Sequence, residues 1–364
     1  MARMVDVSTR SGARSGRSIF YRDGQGKDVK KRRRWLAALA CLLLLGAIVG
    51  AIFEPNRVAR GWLAGEPFFR WRPASYWKEV LRAAGDKPPY PKGTGGFYPK
   101  EAALNVMLEC ARDPDPNVRK PALYFLSVGN PRLDKIREAL TQALADPDPQ
   151  ARLTALNGLA RYGPSAHSSV PAILPLLHDS EFQIAFVANL VLWDIDPAAV
   201  REATGWKQFT SGQWGYSVML PGEPVESEAS IPGPVPSVSH QVLAVEGGVS
   251  QFGVAVADFP AEGIFPPTDE ERLDFGRNSV ITGIKAKGLT PKLSGETAIE
   301  LGGRKGREFL VEVEGMGFIR SRLFWEGRRL YQVKVASKPE FLNPKAADYF
   351  MDAFRINATE AKPR

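Results

Sequence analysis

Only 2 cysteines and 3 histidines occur in 364 residues, and that scarcity removes whole classes of chemistry. Cys41 lies in a long apolar run and Cys110 in an amphipathic stretch far from it, so no disulfide framework is expected. His167 and His178 fall at the two ends of one expected helix and His240 stands apart; none has metal-ligand spacing. G-x-S-x-G, Walker A and H-E-x-x-H patterns are all missing. The glycine-rich GTGG at Gly93 to Gly96 sits between prolines, and GGRKG at Gly302 to Gly306 has no following helix; a phosphate loop needs a helix N-terminus, so both read as turns. No catalytic residue, metal site or cofactor is assigned, and the chain is not expected to be an enzyme.

Basic charge is abundant in one place only. The net charge is +8, which first suggests a nucleic-acid binder. Residues 1–34 carry eleven Lys or Arg against three Asp or Glu, leaving 37 of the 48 basic and 37 of the 40 acidic residues for the remainder. The body of the chain is neutral; the basicity belongs to a tail that reads as disordered.

Next to the tail stands WLAALACLLLLGAIVGAIF, Trp35 to Phe53, without one charge. Nineteen helical residues rise about 28 Å, close to the hydrocarbon thickness of a bilayer. KKRRR at Lys30 to Arg34 abuts it on one side only, and the basic side of a span stays in the cytoplasm. The expectation is a single-pass membrane anchor over 35–53, N-terminus inside and everything after it exported. A cleaved signal is the alternative, with Val49-Gly50-Ala51 as its small-residue site; both export the rest. The tail could also meet anionic lipid headgroups. Nucleic-acid binding ranks last, because topology already accounts for the charge. Residues 54–97 read as a linker. In it Phe68, Phe69, Trp71, Tyr76 and Trp77 could dock on the adjoining helical repeats or rest at the membrane interface, and the second is favoured for aromatics near a bilayer.

From residue 98 to about 203 the chain repeats itself. DPDPNVRKPALYFL at Asp113 is echoed by DPDPQARLTALNGL at Asp146, and Asp179 opens a third copy at the same 33-residue offset. Ala122, Ala155 and Ala188 fall in register, as do Leu126, Leu159 and Leu192. A fixed period of this size marks stacked helical units. Asp115 and Asp148 are placed to cap the first helix of a unit, with Pro116 and Pro149 at its first position. The D-x-D-x-x-x-R-x-x-A pattern, Asp113, Asp115, Arg119, Ala122 and then Asp146, Asp148, Arg152, Ala155, resembles the HEAT-repeat family, especially the short repeats also found in phycobilin lyases. The resemblance implies a solenoid. It carries no lyase role, since no chromophore site accompanies it. Glu181 and Ala185 depart from the pattern, so the third copy reads as a closing cap. DPDPN also mimics the start of a calcium loop, but Val118 and Tyr124 occupy the required Gly and Glu positions. Asn105, Glu109, Glu138 and Gln142 lie on polar faces of second-type helices and are the candidate partner-binding residues; plain solvation is the alternative.

From Gly205 apolar residues alternate as in strands, with candidates at 239–246, 250–258, 293–301, 306–314, 317–325 and 329–337. GEPVESEASIPGPVPS reads as a loop or an edge meander. Thr268 and Glu271 form a capping box before one helix, and NPKAADYFMDAFRI forms a last one. The pattern is α+β. Trp206, Phe209, Gly215, Tyr216, Val218, Leu220, Pro221 and Gly222, then Arg329, Tyr331, Val335, Phe350 and Phe354, resemble the PsbP-like family of α/β/α sandwiches with an antiparallel sheet, over residues 204–356. That resemblance implies a binding or accessory module. Residues 357–364 form a short tail.

The whole thus reads as a multidomain chain: one transmembrane helix, a short all-α HEAT-like solenoid and an α+β sandwich. The function expected is that of a membrane-anchored exported scaffold or adaptor for protein partners. The alternative is a ligand-binding or accessory enzyme module in the C-terminal domain.

Overall fold

The computed structural model describes residues 25–52, 54, 56–84, 101–130, 132–231, 237–246, 248–260 and 266–357. Helix α1 (Gln25–Ile52) contains the apolar run, and its Lys31–Gly50 stretch is long and apolar enough to cross a membrane, with none of it covered by protein. The helix also runs back through KKRRR, so residues 25–34 are helical where a disordered tail was expected. Lys and Arg are good helix formers, and an apolar helix already nucleated propagates into them. The rest of the expected tail lies outside the described residues.

Residues 56–84, expected as linker, are folded. Helix α2 (Val58–Leu63), a hairpin of β1 (Phe68–Phe69) and β2 (Arg72–Pro73), and helix α3 (Ala74–Ala84) form a compact opening unit. Phe69, Ala74, Trp77 and Leu81 are buried in the same core as the repeat helices. Three apolar residues at helical spacing on α3, Ala74, Trp77 and Leu81, with Phe69 of the hairpin, suffice to dock it; the abundant polar residues between them concealed that stripe.

The repeats comprise α4 (Glu101–Cys110), α5 (Pro116–Ser127), α6 (Asp134–Ala143) and α7 (Pro149–Ala160). Residues 167–178, expected as one helix, instead lie largely in 3-10 turns on either side of the four-residue α8 (Val170–Ile173). Pro171 and Pro175 each lack an N–H donor and interrupt the hydrogen-bond ladder. Helices α9 (Phe182–Ile195) and α10 (Pro197–Ala203) close the helical part. The first helices of successive units, α5, α7 and α9, lie side by side. Gly158 makes one of these approaches possible, since a Cβ there would come within 2.7 Å of Leu140 and 3.0 Å of Ser127.

The aspartates that open each unit perform two tasks. Asp115 and Asp148 cap α5 and α7, accepting from the backbone N–H groups of Asn117 and Gln150. Asp113, Asp146 and Asp179 each accept from the N–H two residues on and also receive a cation from the preceding unit. Arg119 donates to both oxygens of Asp146 at 2.5 and 2.9 Å, and Arg152 to both of Asp179 at 2.8 and 2.9 Å. The same guanidinium groups donate to the carbonyls of Asp113 and Asp146. In the opening unit, Lys78 of α3 pairs with Asp113 at 3.2 Å and Arg82 with Asp115 at 2.6 Å. The 33-residue period is therefore the pitch of an ion-pair ladder.

The C-terminal part holds a seven-stranded antiparallel sheet in the order β5-β6-β7-β11-β10-β9-β8, made of β5 (Val225–Ile231), β6 (Ser237–Glu246), β7 (Ser250–Asp258), β8 (Pro291–Leu301), β9 (Arg304–Val313), β10 (Gly317–Glu326) and β11 (Arg329–Ser337). The expected strands are present within a few residues of their expected ends, and the Pro-rich meander supplies the edge strand β5. Helix α11 (Asp269–Ala286) covers one face over β8 to β10, starting at the Thr268–Glu271 capping box. Glu296 of β8 accepts from Arg277 at 2.8 Å and lies 3.0 Å from Arg307, fixing that helix to the sheet. The other face, Val242, Phe252, Val254, Val256, Phe324, Tyr331, Val333 and Val335, packs beneath α12 (Pro344–Ala353) and a smaller sheet of β3 (Lys207–Ser211), β4 (Tyr216–Leu220) and β12 (Arg355–Ile356). This is an α+β domain following a helical domain. The two share one apolar core, in which the Trp206 ring meets Trp193 of α9, Tyr349 of α12 and Phe252 of β7 at centroid separations of 5.7, 5.5 and 5.4 Å.

Replacing Arg152 by Ala strands the Asp179 carboxylate, whose side chain is 6% exposed, and is expected to cost about 3 kcal/mol of unfolding free energy. Arg152→Lys keeps the charge but loses the two-pronged geometry and should cost about 1 kcal/mol. Denaturant titration of the full chain in detergent measures both. A loss below about 0.5 kcal/mol for the Ala variant would reduce the ladder to ordinary surface pairing.

Candidate functional site

Asn105, Glu109, Glu138 and Gln142 are all exposed, but their surroundings differ. Asn105 and Glu109 lie on α4, against which α3 packs, and Glu109 accepts a 3.2 Å pair from Lys78. It is part of the joint between the opening unit and the repeats. Glu138 and Gln142 are one turn apart on α6, opposite the buried Ile136, Ala139, Leu140 and Ala143. Among the described residues neither makes a side-chain hydrogen bond or ion pair. The α6 face is thus the part of the expected surface that stays open.

The joint between the domains contains a buried carboxylate that periodicity gave no reason to single out. Glu246, at the end of β6, accepts from Asn189 of α9 at 3.2 Å and from Trp206 at 3.3 Å. Asn189 in turn accepts from Asn343, the residue capping α12, at 2.9 Å. Burial raises the Glu246 pKa against these hydrogen bonds. The group ties elements of both domains together, and its work is structural.

His240 is also buried. Its ring stacks on Trp214 at 5.2 Å, its Nε2 lies 3.0 Å from the Tyr216 hydroxyl, and Nδ1 has no hydrogen-bond partner. Burial lowers its pKa and pushes that of Tyr216 up. A buried imidazole stacked on an indole is a core residue, one of the two places, surface or core, that a lone histidine without metal spacing allows.

Two further features could meet a ligand. A cleft of about 390 Å³ opens between the smaller sheet and α12, lined by Gln208, Ser217, Met219, Tyr349, Asp352 and Arg355, within the size range of small-molecule sites. On the sheet face that carries α11, Lys334 of β11 stands opposite Gly253 of β7 and Ser321 of β10. No carboxylate among the described residues pairs with it. Burial, reinforced by the charge of Lys287, lowers its pKa from the usual lysine range to about 8. Strand alternation could have located Lys334 on that face, but only the pairing of the strands reveals that no acid accompanies it.

No family model matches the chain, and no curated protein matches it. Among solved structures, the PsbP protein of the cyanobacterium Synechocystis (CyanoP) is similar at 12% identity and a TM-score of 0.32, over 42% of this chain and 92% of that one. An engineered protein is similar at 20% identity and a TM-score of 0.27, over 36% of this chain and 63% of that one. The fold described above rests on strand order and packing.

The lowered pKa of Lys334 has two observable consequences. Its acylation by an amine-selective reagent should reach half its maximal rate near pH 8, against about 10.4 for ordinary lysines, as read by peptide mass spectrometry. Between those values the unfolded chain holds a proton that the folded one does not, so folding stability should rise with pH there, and Lys334→Met should abolish that rise. A labelling midpoint near 10 would show an ordinary solvated lysine.

Proposed function

We propose that the chain is a membrane-anchored, exported scaffold or adaptor, held by α1 with its basic end in the cytoplasm, that engages a protein partner through the open face of α6. The observation carrying this reading is Glu138 and Gln142: exposed polar side chains without internal partners among the described residues, on a helix that leads directly into Asp146, the carboxylate gripped by Arg119 of the preceding helix. Rigid, repeated helix faces are the surfaces by which stacked-helix proteins bind others. The HEAT-like periodicity and PsbP-like motifs of the sequence agree with a binding rather than a catalytic role. A second reading has the cleft between β4 and α12 as its support: the C-terminal domain would then bind a small ligand as an accessory module.

A reporter active only outside the cytoplasm, fused after Arg364, should give activity in the membrane pellet. Soluble exported activity would mean a cleaved signal, and no activity despite expression would overturn the topology. Photo-crosslinkers placed at Glu138 and Gln142 in living cells should capture one discrete protein, while a crosslinker at Lys305, near the start of β9, should not. Arg substituted at the neighbouring α6 position should weaken capture about tenfold, equivalent to ~1.4 kcal/mol. Equal capture at Lys305 would remove α6 from the proposal.

A further inference from the structure

The opening unit displays three large apolar side chains to solvent. Trp62 and Leu63 at the end of α2 are each 75% exposed, and Trp71 at the tip of the β1–β2 hairpin is 89% exposed. Phe69 and Trp77, which the sequence also offered to the membrane, are instead buried in the core. The structure has thus divided the aromatics of this segment into an inward set and an outward one.

The outward set is held in place. Arg70 and Trp71 both adopt left-handed backbone, φ 50° and 61°, a conformation that non-glycine residues adopt at a cost. Here it turns the Trp71 indole away from the core. Gly61 lets α2 lie directly on the hairpin, since a Cβ there would sit 2.2 Å from a Pro73 carbon. Trp62, Leu63 and Trp71 therefore belong to one rigid unit rather than to loose chain.

That unit is coupled to the end of the apolar helix. Glu54, two residues beyond α1, accepts from the Ala59 N–H at the start of α2 at 2.9 Å, and α2 touches α1. Arg57 donates to the Ser75 carbonyl at 3.2 Å and pairs with Glu79 at 3.3 Å, both on α3. The exposed Arg60 and Arg70 stand beside the apolar side chains, giving the mixture of indole, aliphatic and cationic groups that suits the headgroup level of a bilayer.

From this geometry we infer that Trp62, Leu63 and Trp71 insert into the lipid headgroup region on the exported side, so that the body is seated on the membrane surface in a fixed orientation rather than tethered at a distance. The inference rests on α1 spanning the bilayer. The seat would present the repeats and their α6 face at a set height and angle above the lipid.

The test uses the full chain in nanodiscs whose lipids carry bromine high on the acyl chain, a short-range quencher of indole fluorescence. Differences between wild type and Trp35→Phe, Trp62→Phe or Trp71→Phe isolate each indole, and the last two positions are too exposed for the change to disturb folding. Trp35 opens the apolar run and reports insertion of the span. Quenching of Trp35, Trp62 and Trp71 alike, each by about half, supports the seat, and Leu63→Ser with Trp71→Ser should then release Trp62 from quenching. Quenching of Trp35 alone overturns the seat and leaves the span standing. Quenching of none overturns both. Protection of Trp62 and Trp71 only in discs holding two chains, without quenching, would assign the patch to a second copy and also overturn it.

Discussion

A cation reaching from one helical unit to the carboxylate of the next is the interaction on which the rest of this structure depends. Lys78 to Asp113, Arg119 to Asp146 and Arg152 to Asp179 are three turns of one device. A short array of helices has little apolar area per joint, and apolar contact alone sets no unique rotation between neighbours. A guanidinium gripping both oxygens of a carboxylate does set one, because its geometry is planar and directional. Each aspartate also fixes the backbone of its own turn. The ladder therefore transmits orientation along the array, and the shielding of its carboxylates from solvent makes it more than surface decoration.

The ladder is continued by other means at each end. Toward the N-terminus, Arg57 and Glu79 tie the opening unit to the chain leaving the apolar helix. Toward the C-terminus the third copy replaces the ladder arginine with Ala185, and orientation is set by packing: Trp206 stands among aromatic rings from three elements, while Glu246, Asn189 and Asn343 satisfy one another in the same joint. Lys345 of α12 adds a 2.6 Å pair to Asp194 of α9. The break in the repeat pattern is thus the point where the helical domain stops recognising itself and begins to recognise a sheet.

Legibility in the sequence was decided by the range of each interaction. Caps, turns and strand alternation depend on neighbours a few residues apart, so the Asp115, Asp148 and Thr268 caps and six long strands could be read directly. The repeat could be read because a fixed offset needs no knowledge of contacts. Missed were features settled by distant partners, the docking of residues 56–84 and the separation of Phe69 and Trp77 from Trp71, and one settled locally, the breaking of residues 167–178 by Pro171 and Pro175, which the apolar pattern there outweighed. Of the candidate partner residues, Glu109 could not be distinguished from Glu138 in one dimension, since Lys78, which occupies it, lies 31 residues away.

Asp179 of the ladder and Glu246 of the joint respond to acid in opposite senses, because their surroundings differ. Arg152 holds the Asp179 pKa below its ordinary value; its stabilising effect is complete above the usual carboxylate range and is lost as the pH falls through the lowered pKa. Burial holds that of Glu246 above its ordinary value; keeping it charged opposes folding, and acid relieves that opposition. On acidification Glu246 therefore takes up its proton first and the joint to the sheet domain tightens, while the Arg152–Asp179 link weakens only at lower pH. Acid thus loosens the Arg152–Asp179 link but not the Glu246 joint, because one carboxylate is held by charge and the other only by the neutral donors of Asn189 and Trp206.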